Sequence, residues 1–217
     1  WVCHALTANS DAADWWSGMV GAGKLFDPAK DFIVCANVPG SCYGSVGPLS
    51  ENPETGEPYY ASFPWFTIRD VVRAFDLLRQ ALGVEKIKIG IGGSMGGQQL
   101  MEWAIYQPKL FQNLIPIATN ARHSPWGIAF NEAQRLALLA DQTFLEPSPT
   151  AGQAGLKAAR SIAMLSYRNY NTYLEKQSEE NVEIYDAFRA ASYQDYQGQK
   201  LVKRFNAHAY YALTKCM

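Results

Sequence analysis

The run Ile87-Lys88-Ile89-Gly90-Ile91 leads straight into Gly92-Gly93-Ser94-Met95-Gly96-Gly97, and Gln98 to Tyr106 then reads as a helix that Pro108 cannot continue. β-Branched residues in alternation predict a strand, so the segment is a strand, a G-x-S-x-G turn and a helix. That order is the pattern of a nucleophile elbow. The turn is so tight that Ser94 has to take a strained backbone conformation, and side chains must be nearly absent at Gly92 and Gly96 for strand and helix to approach. The geometry lifts the Ser94 hydroxyl clear of a sheet. It also aims the Met95 amide and the helix N-terminus at an oxyanion forming on an attacked carbonyl. Phosphate binding is the rival reading of such a glycine-rich turn, but no Walker lysine follows, and a G-x-G-x-x-G spacing with a downstream ribose-binding acid is not met.

Short β-branched runs alternate with helical patterns through the first half of the chain. Trp1 to Ala5, Phe32 to Val38, Lys86 to Ile91 and Asn113 to Ala118 read as strands, and the alternation implies a parallel sheet. Thr67 to Leu82 carries Val71, Phe75, Leu78 and Leu82 at helical spacing, with Thr67 and Asp70 as a capping-box start and Gly83 as the stop, which predicts a crossover helix on one sheet face. Gly40 to Pro64 is too long and too rich in Gly, Pro, Ser and Asn for an ordinary connection, which places it near a site. Beyond about residue 125 the strand signals cease. Amphipathic patterns follow at Ile128 to Ala140, Gly155 to Tyr167, Val182 to Tyr196 and Phe205 to Lys215. The expected division is therefore an α/β part over 1–125 and an all-helical part over 126–217.

With 217 residues, 48% of them apolar, the chain is long enough to bury a sizeable core. Nineteen basic and twenty acidic residues leave a formal charge of -1, so no global field exists to hold nucleic acid or an anionic membrane, and a small-molecule partner is expected. No apolar run reaches the roughly 18 residues that span a bilayer, and the first residues lack the basic start of a signal peptide, so a cytoplasmic location is expected. Cys3, Cys35, Cys42 and Cys216 contain no C-x-x-C pair and read as reduced structural thiols. No metal site or cofactor is expected.

A serine nucleophile needs a histidine to take its proton and a carboxylate to orient that histidine, in the chain order Ser, Asp or Glu, His. Only His123 and His208 follow Ser94. His123 comes too soon after its strand to leave a separate strand for the acid, and His208 sits in an amphipathic run and reads as a helix-surface residue. His4 precedes the serine and reads as a histidine hydrogen-bonded near a strand end. With no strand-like run beyond Ala118, the triad Asp and His are expected to be absent from the chain, which also opens in mid-strand without a Met. The expectation is a piece shortened at both ends, with little turnover on its own. The second oxyanion donor belongs on the loop after an earlier strand, where Leu6 N–H of His4-Ala5-Leu6-Thr7 is the candidate.

The sequence resembles the homoserine O-acetyltransferase family over essentially its whole length. The resemblance is carried by His4-Ala5-Leu6-Thr7, Cys42-Tyr43-Gly44, Asn52-Pro53-Glu54-Thr55-Gly56, Phe63-Pro64 with Thr67-Ile68-Arg69-Asp70, Gly92 to Gly97, Glu102-Trp103-Ala104, and Ile128-Ala129-Phe130-Asn131-Glu132. It implies an α/β-hydrolase fold, a mostly parallel sheet flanked by helices with an inserted helical lid, and a C-terminal return to the core that carries the triad Asp and His. It further implies a ping-pong reaction: Ser94 takes an acetyl group from acetyl-CoA, a co-substrate, and L-homoserine's hydroxyl then attacks the acyl-enzyme to give O-acetylhomoserine for methionine synthesis. The family's carboxylate-binding arginine matches Arg160 in Gly155-Leu156-Lys157-Ala158-Ala159-Arg160, and a planar guanidinium can hold a carboxylate through two parallel bonds. A homodimer through lid helices is also implied. The family usually continues from His-Ala-Leu-Thr with Gly-Asp, whereas Ala8-Asn9-Ser10-Asp11 follow in this chain. Relatives that use succinyl-CoA, that acylate serine or that are plain esterases keep those alternatives open, as does an interaction module without catalysis.

Overall fold

The computed structural model describes residues 1–180 and 183–217. They form two compact units, one made of Trp1–Ser50, Phe63–His123 and Ala212–Met217, the other of Glu51–Ser62 and Ser124–Tyr211. Nothing in the composition had signalled that Glu51–Ser62 would cluster with the second unit or the last residues with the first.

In the first unit, strands β1 (Val2–Cys3), β2 (Ile87–Gly93) and β3 (Phe111–Ile117) form a parallel sheet in the order β1-β2-β3. Cys3 aligns with Gly92, and Gly92 and Gly93 align with Pro116 and Ile117, so the three strands run out together just before Ser94. β3 is an edge strand among the described residues, with Leu114 40% and Ile117 38% exposed. The expected strand at Phe32 to Val38 is reduced to a single parallel bridge between Val2 and Cys35, with Val2 N–H donating to the Val34 carbonyl at 2.8 Å. β1 is two residues long and offers no further partner for a longer ladder.

The predicted crossover helix is α2 (Ile68–Ala81), which follows a four-residue helix α1 (Ala12–Trp15) that the sequence did not announce. Its capping box is formed: the Thr67 hydroxyl accepts from Asp70 N–H, and the Asp70 carboxylate accepts from Thr67 N–H at 2.9 Å. Val71, Val72 and Phe75 of α2 are buried, as are Leu100 and Trp103 of α3 (Met95–Tyr106), and the two helices pack together. Trp103 meets Trp1 edge-on at 5.0 Å between ring centroids and Phe111 at 5.4 Å, so truncating it to Ala would cost about 3–5 kcal/mol. A second apolar cluster joins Val2, Ala12, Val20, Phe26 and Ile91. The buried carboxylate of Asp76 accepts from Arg79 Nε and Gln80 Nε2, each at 2.7 Å, and from Trp103 Nε1 at 3.4 Å. Burial alone would raise its pKa, but these donors hold it below the ordinary carboxylate range.

The second unit is helical: α4 (Pro125–Leu139), α5 (Gln153–Ser166), α6 (Tyr170–Gln177), α7 (Arg189–Val202) and the start of α8 (Ala207–Cys216). Ser124 caps α4 by accepting from Gly127 N–H at 3.1 Å, with Pro125 at the first helical position. Leu138, Leu156, Ala159, Ala163 and Leu201 are buried where α4 packs on α5 and α5 on α7, and buried Tyr210 of α8 donates its hydroxyl proton to the side-chain oxygen of Gln134 on α4. Helix α6 buries no residue and is started by the Asn169 side chain, so it carried no apolar stripe to read. The first residue of the helix expected over Val182 to Tyr196 lies, with Asn181, outside the described residues; the observed helix spans Arg189–Val202.

His208 corrects the surface reading. It is 2% exposed, its Nε2 bonds the Phe144 carbonyl at 2.7 Å, and its ring lies against Phe144 and Tyr60. Its neighbours Ala207, Ala209 and Tyr210 are buried as well, so α8 is covered on more sides than one amphipathic face allows. No helix among the described residues is long and apolar enough to cross a membrane.

Candidate active site

Ser94 stands between the last residue of β2 and the first of α3 with φ 54 and ψ −122, a region that an L-residue other than glycine rarely occupies. Its N–H donates to the Ile117 carbonyl at 3.0 Å, and its carbonyl accepts from the Gly97 and Gln98 amides at 2.9 and 3.2 Å and from the Thr119 hydroxyl at 2.8 Å. The backbone is thus held at both ends. The residue is exposed, and although it occupies the cap position of α3 its hydroxyl makes no capping bond. A hydroxyl left unspent in this way is free to meet a reactant.

Close approach explains the flanking glycines. A Cβ on Gly92 would lie 2.5 Å from the Gly96 carbonyl oxygen, and one on Gly96 would lie 2.0 Å from the Cys3 oxygen and 3.0 Å from the His4 oxygen. The end of β1 is therefore pressed against the turn, which brings the segment His4 to Thr7 beside it. Ala5 to Ala8 form a turn closed by Ala8 N–H on the Ala5 carbonyl at 3.0 Å, and Leu6 N–H donates to no carbonyl or side chain among the described residues. Met95 is fully buried, and as the first residue of α3 its N–H has no acceptor within the helix. Ser94, Met95 and the Leu6 loop all belong to the first unit.

The histidines divide by what holds them. Both nitrogens of His4 are engaged: Nδ1–H donates to the Ala5 carbonyl at 2.8 Å and Nε2 accepts from Val38 N–H at 3.0 Å. Burial lowers its pKa, partly offset by the bond to Ala5, so the ring is neutral and spent on structure. His123 follows β3, with its Nδ1 3.4 Å from Gln98 Nε2, whose amide also donates to Asn120 at 3.2 Å. His208 belongs to the second unit. Among the described residues no group of three His, Cys, Asp or Glu side chains is placed to hold a metal ion.

Arg160 lies on α5 in the second unit, half-buried, with its guanidinium carbon 5.4 Å from the Tyr167 ring centroid. Its Nε is buried without a hydrogen-bond partner, and no carboxylate among the described residues pairs with it. Packing against the Tyr167 ring holds this cation in place.

Over all 217 residues the chain is 52% identical to homoserine O-acetyltransferase of Cyclobacterium marinum, of which it spans 62%. The resemblance read from the motifs therefore extends across the entire chain. The crystal structure of homoserine O-acetyltransferase from Bacillus anthracis matches with a TM-score of 0.91 at 22% identity, covering 99% of this chain and 65% of that one. The L374D mutant of esterase E22 matches with a TM-score of 0.87 at 21% identity, over 99% and 66% of the two chains. Two differently named proteins fit almost equally well, so these structural likenesses speak to the fold alone. The family model for the α/β hydrolase fold matches residues 2–215, from β1 through the serine turn to the last helix, and the chain belongs to that family.

Proposed function

We propose that Ser94 is the nucleophile of an acyltransferase that moves an acetyl group from acetyl-CoA to the hydroxyl of L-homoserine. The observation that carries this reading is the 52% identity, over every residue of the chain, to a protein of that name. The Ser94 hydroxyl, which makes no capping bond on a strained strand-to-helix turn, supports it.

In the first half-reaction Ser94 Oγ attacks the thioester carbonyl carbon, the C–S bond breaks, and the serine proton passes through a general base to the departing thiolate. In the second, homoserine's hydroxyl attacks the acyl-serine, the bond to Oγ breaks, and the proton returns to Ser94. Leu6 and Met95 N–H groups would stabilise the oxyanion in both. Arg160 would hold the carboxylate of homoserine. His4 is committed to Val38 and Ala5, so the base and its orienting carboxylate are assigned to the part of the longer protein that the relatives possess and this chain does not span. In this reading helices α4 to α8 form the lid, homodimers assemble through it, and the enzyme works in the cytoplasm. Exposed Trp126, Leu136 and Leu139 on α4 support a lid that meets a second copy.

Hydrolysis of an acyl ester is the second reading, favoured by the fit to esterase E22. The two differ in whether the acyl-enzyme is sheltered from water. Full-length protein incubated with acetyl-CoA and homoserine, with succinyl-CoA and serine in parallel, should give O-acetylhomoserine by mass spectrometry, and Ser94→Ala should give none. Consumption of acetyl-CoA without any O-acylhomoserine would overturn the acyltransferase reading in favour of hydrolysis.

A further inference from the structure

In the first unit two residues other than glycine have positive φ, Ser94 at 54 and Ala118 at 47. They sit at the ends of the paired strands β2 and β3. Such conformations persist only where the surroundings over-determine them. Ala118 lies between the two groups that hold Ser94: the Ile117 carbonyl takes the Ser94 N–H at 3.0 Å, and the Thr119 hydroxyl donates to the Ser94 carbonyl at 2.8 Å. The strained turn at Ala118 aims both at one residue.

Gly97 supplies an independent observation. The G-x-S-x-G pattern needs Gly92 and Gly96 and is silent about Gly97. A Cβ on Gly97 would lie 2.5 Å from Thr119 Cγ2, 2.7 Å from its Cβ and 2.9 Å from its Oγ1, so the extra glycine makes the seat for this threonine. Thr119 is thus packed against the first turn of α3 as well as bonded to it.

The peptide unit is planar, so the Ser94 carbonyl and the Met95 N–H move as one rigid group. We propose that Thr119 is a positioning residue: by adding its hydroxyl to the Gly97 and Gln98 amides that hold the Ser94 carbonyl, it fine-tunes the direction of the Met95 N–H, the amide assigned to the oxyanion. This inference rests on the reading of Ser94 as a nucleophile. It predicts that the hydroxyl of Thr119 acts on the rate of acylation and not on substrate binding.

The test uses full-length protein and compares Thr119→Val, which keeps the shape and loses the hydroxyl, with Thr119→Ser, which keeps the hydroxyl. Three quantities are read: the rate of Ser94 labelling by a fluorophosphonate, kcat and KM with acetyl-CoA and homoserine, and the thermal midpoint. The labelling rate and kcat of Thr119→Val should fall by about 10- to 100-fold, less than the full loss of an oxyanion donor. Its KM should stay within roughly twofold, and Thr119→Ser should recover to within roughly threefold of wild type. If Thr119→Val does not fold, Thr119→Ala takes its place against Thr119→Ser. Equal labelling of wild type and Thr119→Val, or equal impairment of both variants, overturns the positioning role while leaving Ser94 as nucleophile. If wild-type Ser94 takes no label and no product forms, the nucleophile reading falls and takes the role of Thr119 with it.

Discussion

His4 and Val38 are joined by a buried hydrogen bond of 3.0 Å in which the histidine ring accepts from the backbone N–H. Only a neutral imidazole can accept there while its other nitrogen donates to Ala5. Burial lowers the pKa of His4, and that of His208 for the same reason. A base with a lowered folded-state pKa takes up its proton more readily when unfolded, so the unfolded chain binds more protons between that lowered value and about 6.5. Stability is therefore complete above the unfolded value and is lost as pH falls through this window. The thermal midpoint should drop between about pH 7.5 and about pH 5.5, and His4→Asn should flatten the profile at a stability lower by about 1–3 kcal/mol. An equally steep profile in His4→Asn would remove His4 as a source.

Ser94→Gly relieves the strain at φ 54 at the expense of the hydroxyl. Strain of about 1–3 kcal/mol, set against the extra chain entropy of glycine, predicts a net gain on the order of 1 kcal/mol in unfolding free energy. Chemical denaturation of the two proteins measures it. A stability equal to or below wild type would mean that the turn stores no strain.

Gly96→Ala places a methyl group against the backbone of β1, 2.0 Å from the Cys3 oxygen. Backbone cannot rotate aside as a side chain can, so the loss should be at least about 3 kcal/mol, at the upper end for overpacking. Little folded protein should be recovered. Unchanged thermal stability would show that β1 and α3 can separate freely.

Arg160→Lys keeps a positive charge and loses the planar fork. If Arg160 holds the acceptor's carboxylate, KM for homoserine should rise about 10- to 100-fold while acylation of Ser94 by acetyl-CoA proceeds at its normal rate. Stopped-flow acylation and steady-state kinetics separate the two. Slowed acylation with an unchanged KM would assign the arginine elsewhere.

The tight turn at Ser94 between β2 and α3 was legible because strand, turn and helix each have a local signature and the glycines on either side of Ser94 leave few alternatives. Helix α2 was equally plain, since Thr67, Asp70 and Gly83 mark its ends by short-range chemistry. What escaped notice depends on contacts distant in sequence. The shrinking of Phe32–Val38 to one bridge follows from the brevity of β1, and the burial of His208 follows from Phe144 and Tyr60 closing over it. Thr119 belongs to the same class: a threonine after a strand has no pattern of its own, and only the doubled glycine at Gly97 hinted that something had to fit there. The buried, unpaired Nε of Arg160 was likewise invisible in a helix that reads as amphipathic.

The outer side of β3 is unpaired among the described residues, which bears on how these 217 residues behave on their own. Its backbone groups along Phe111–Ile117 meet no further strand among the described residues, and half-exposed Leu114 and Ile117 lie along it. Such an edge is a template for another extended chain. Concentrated preparations of these 217 residues should self-associate through it, with light scattering that climbs steeply with protein concentration. A single lysine in place of Leu114 should keep the same preparation clear.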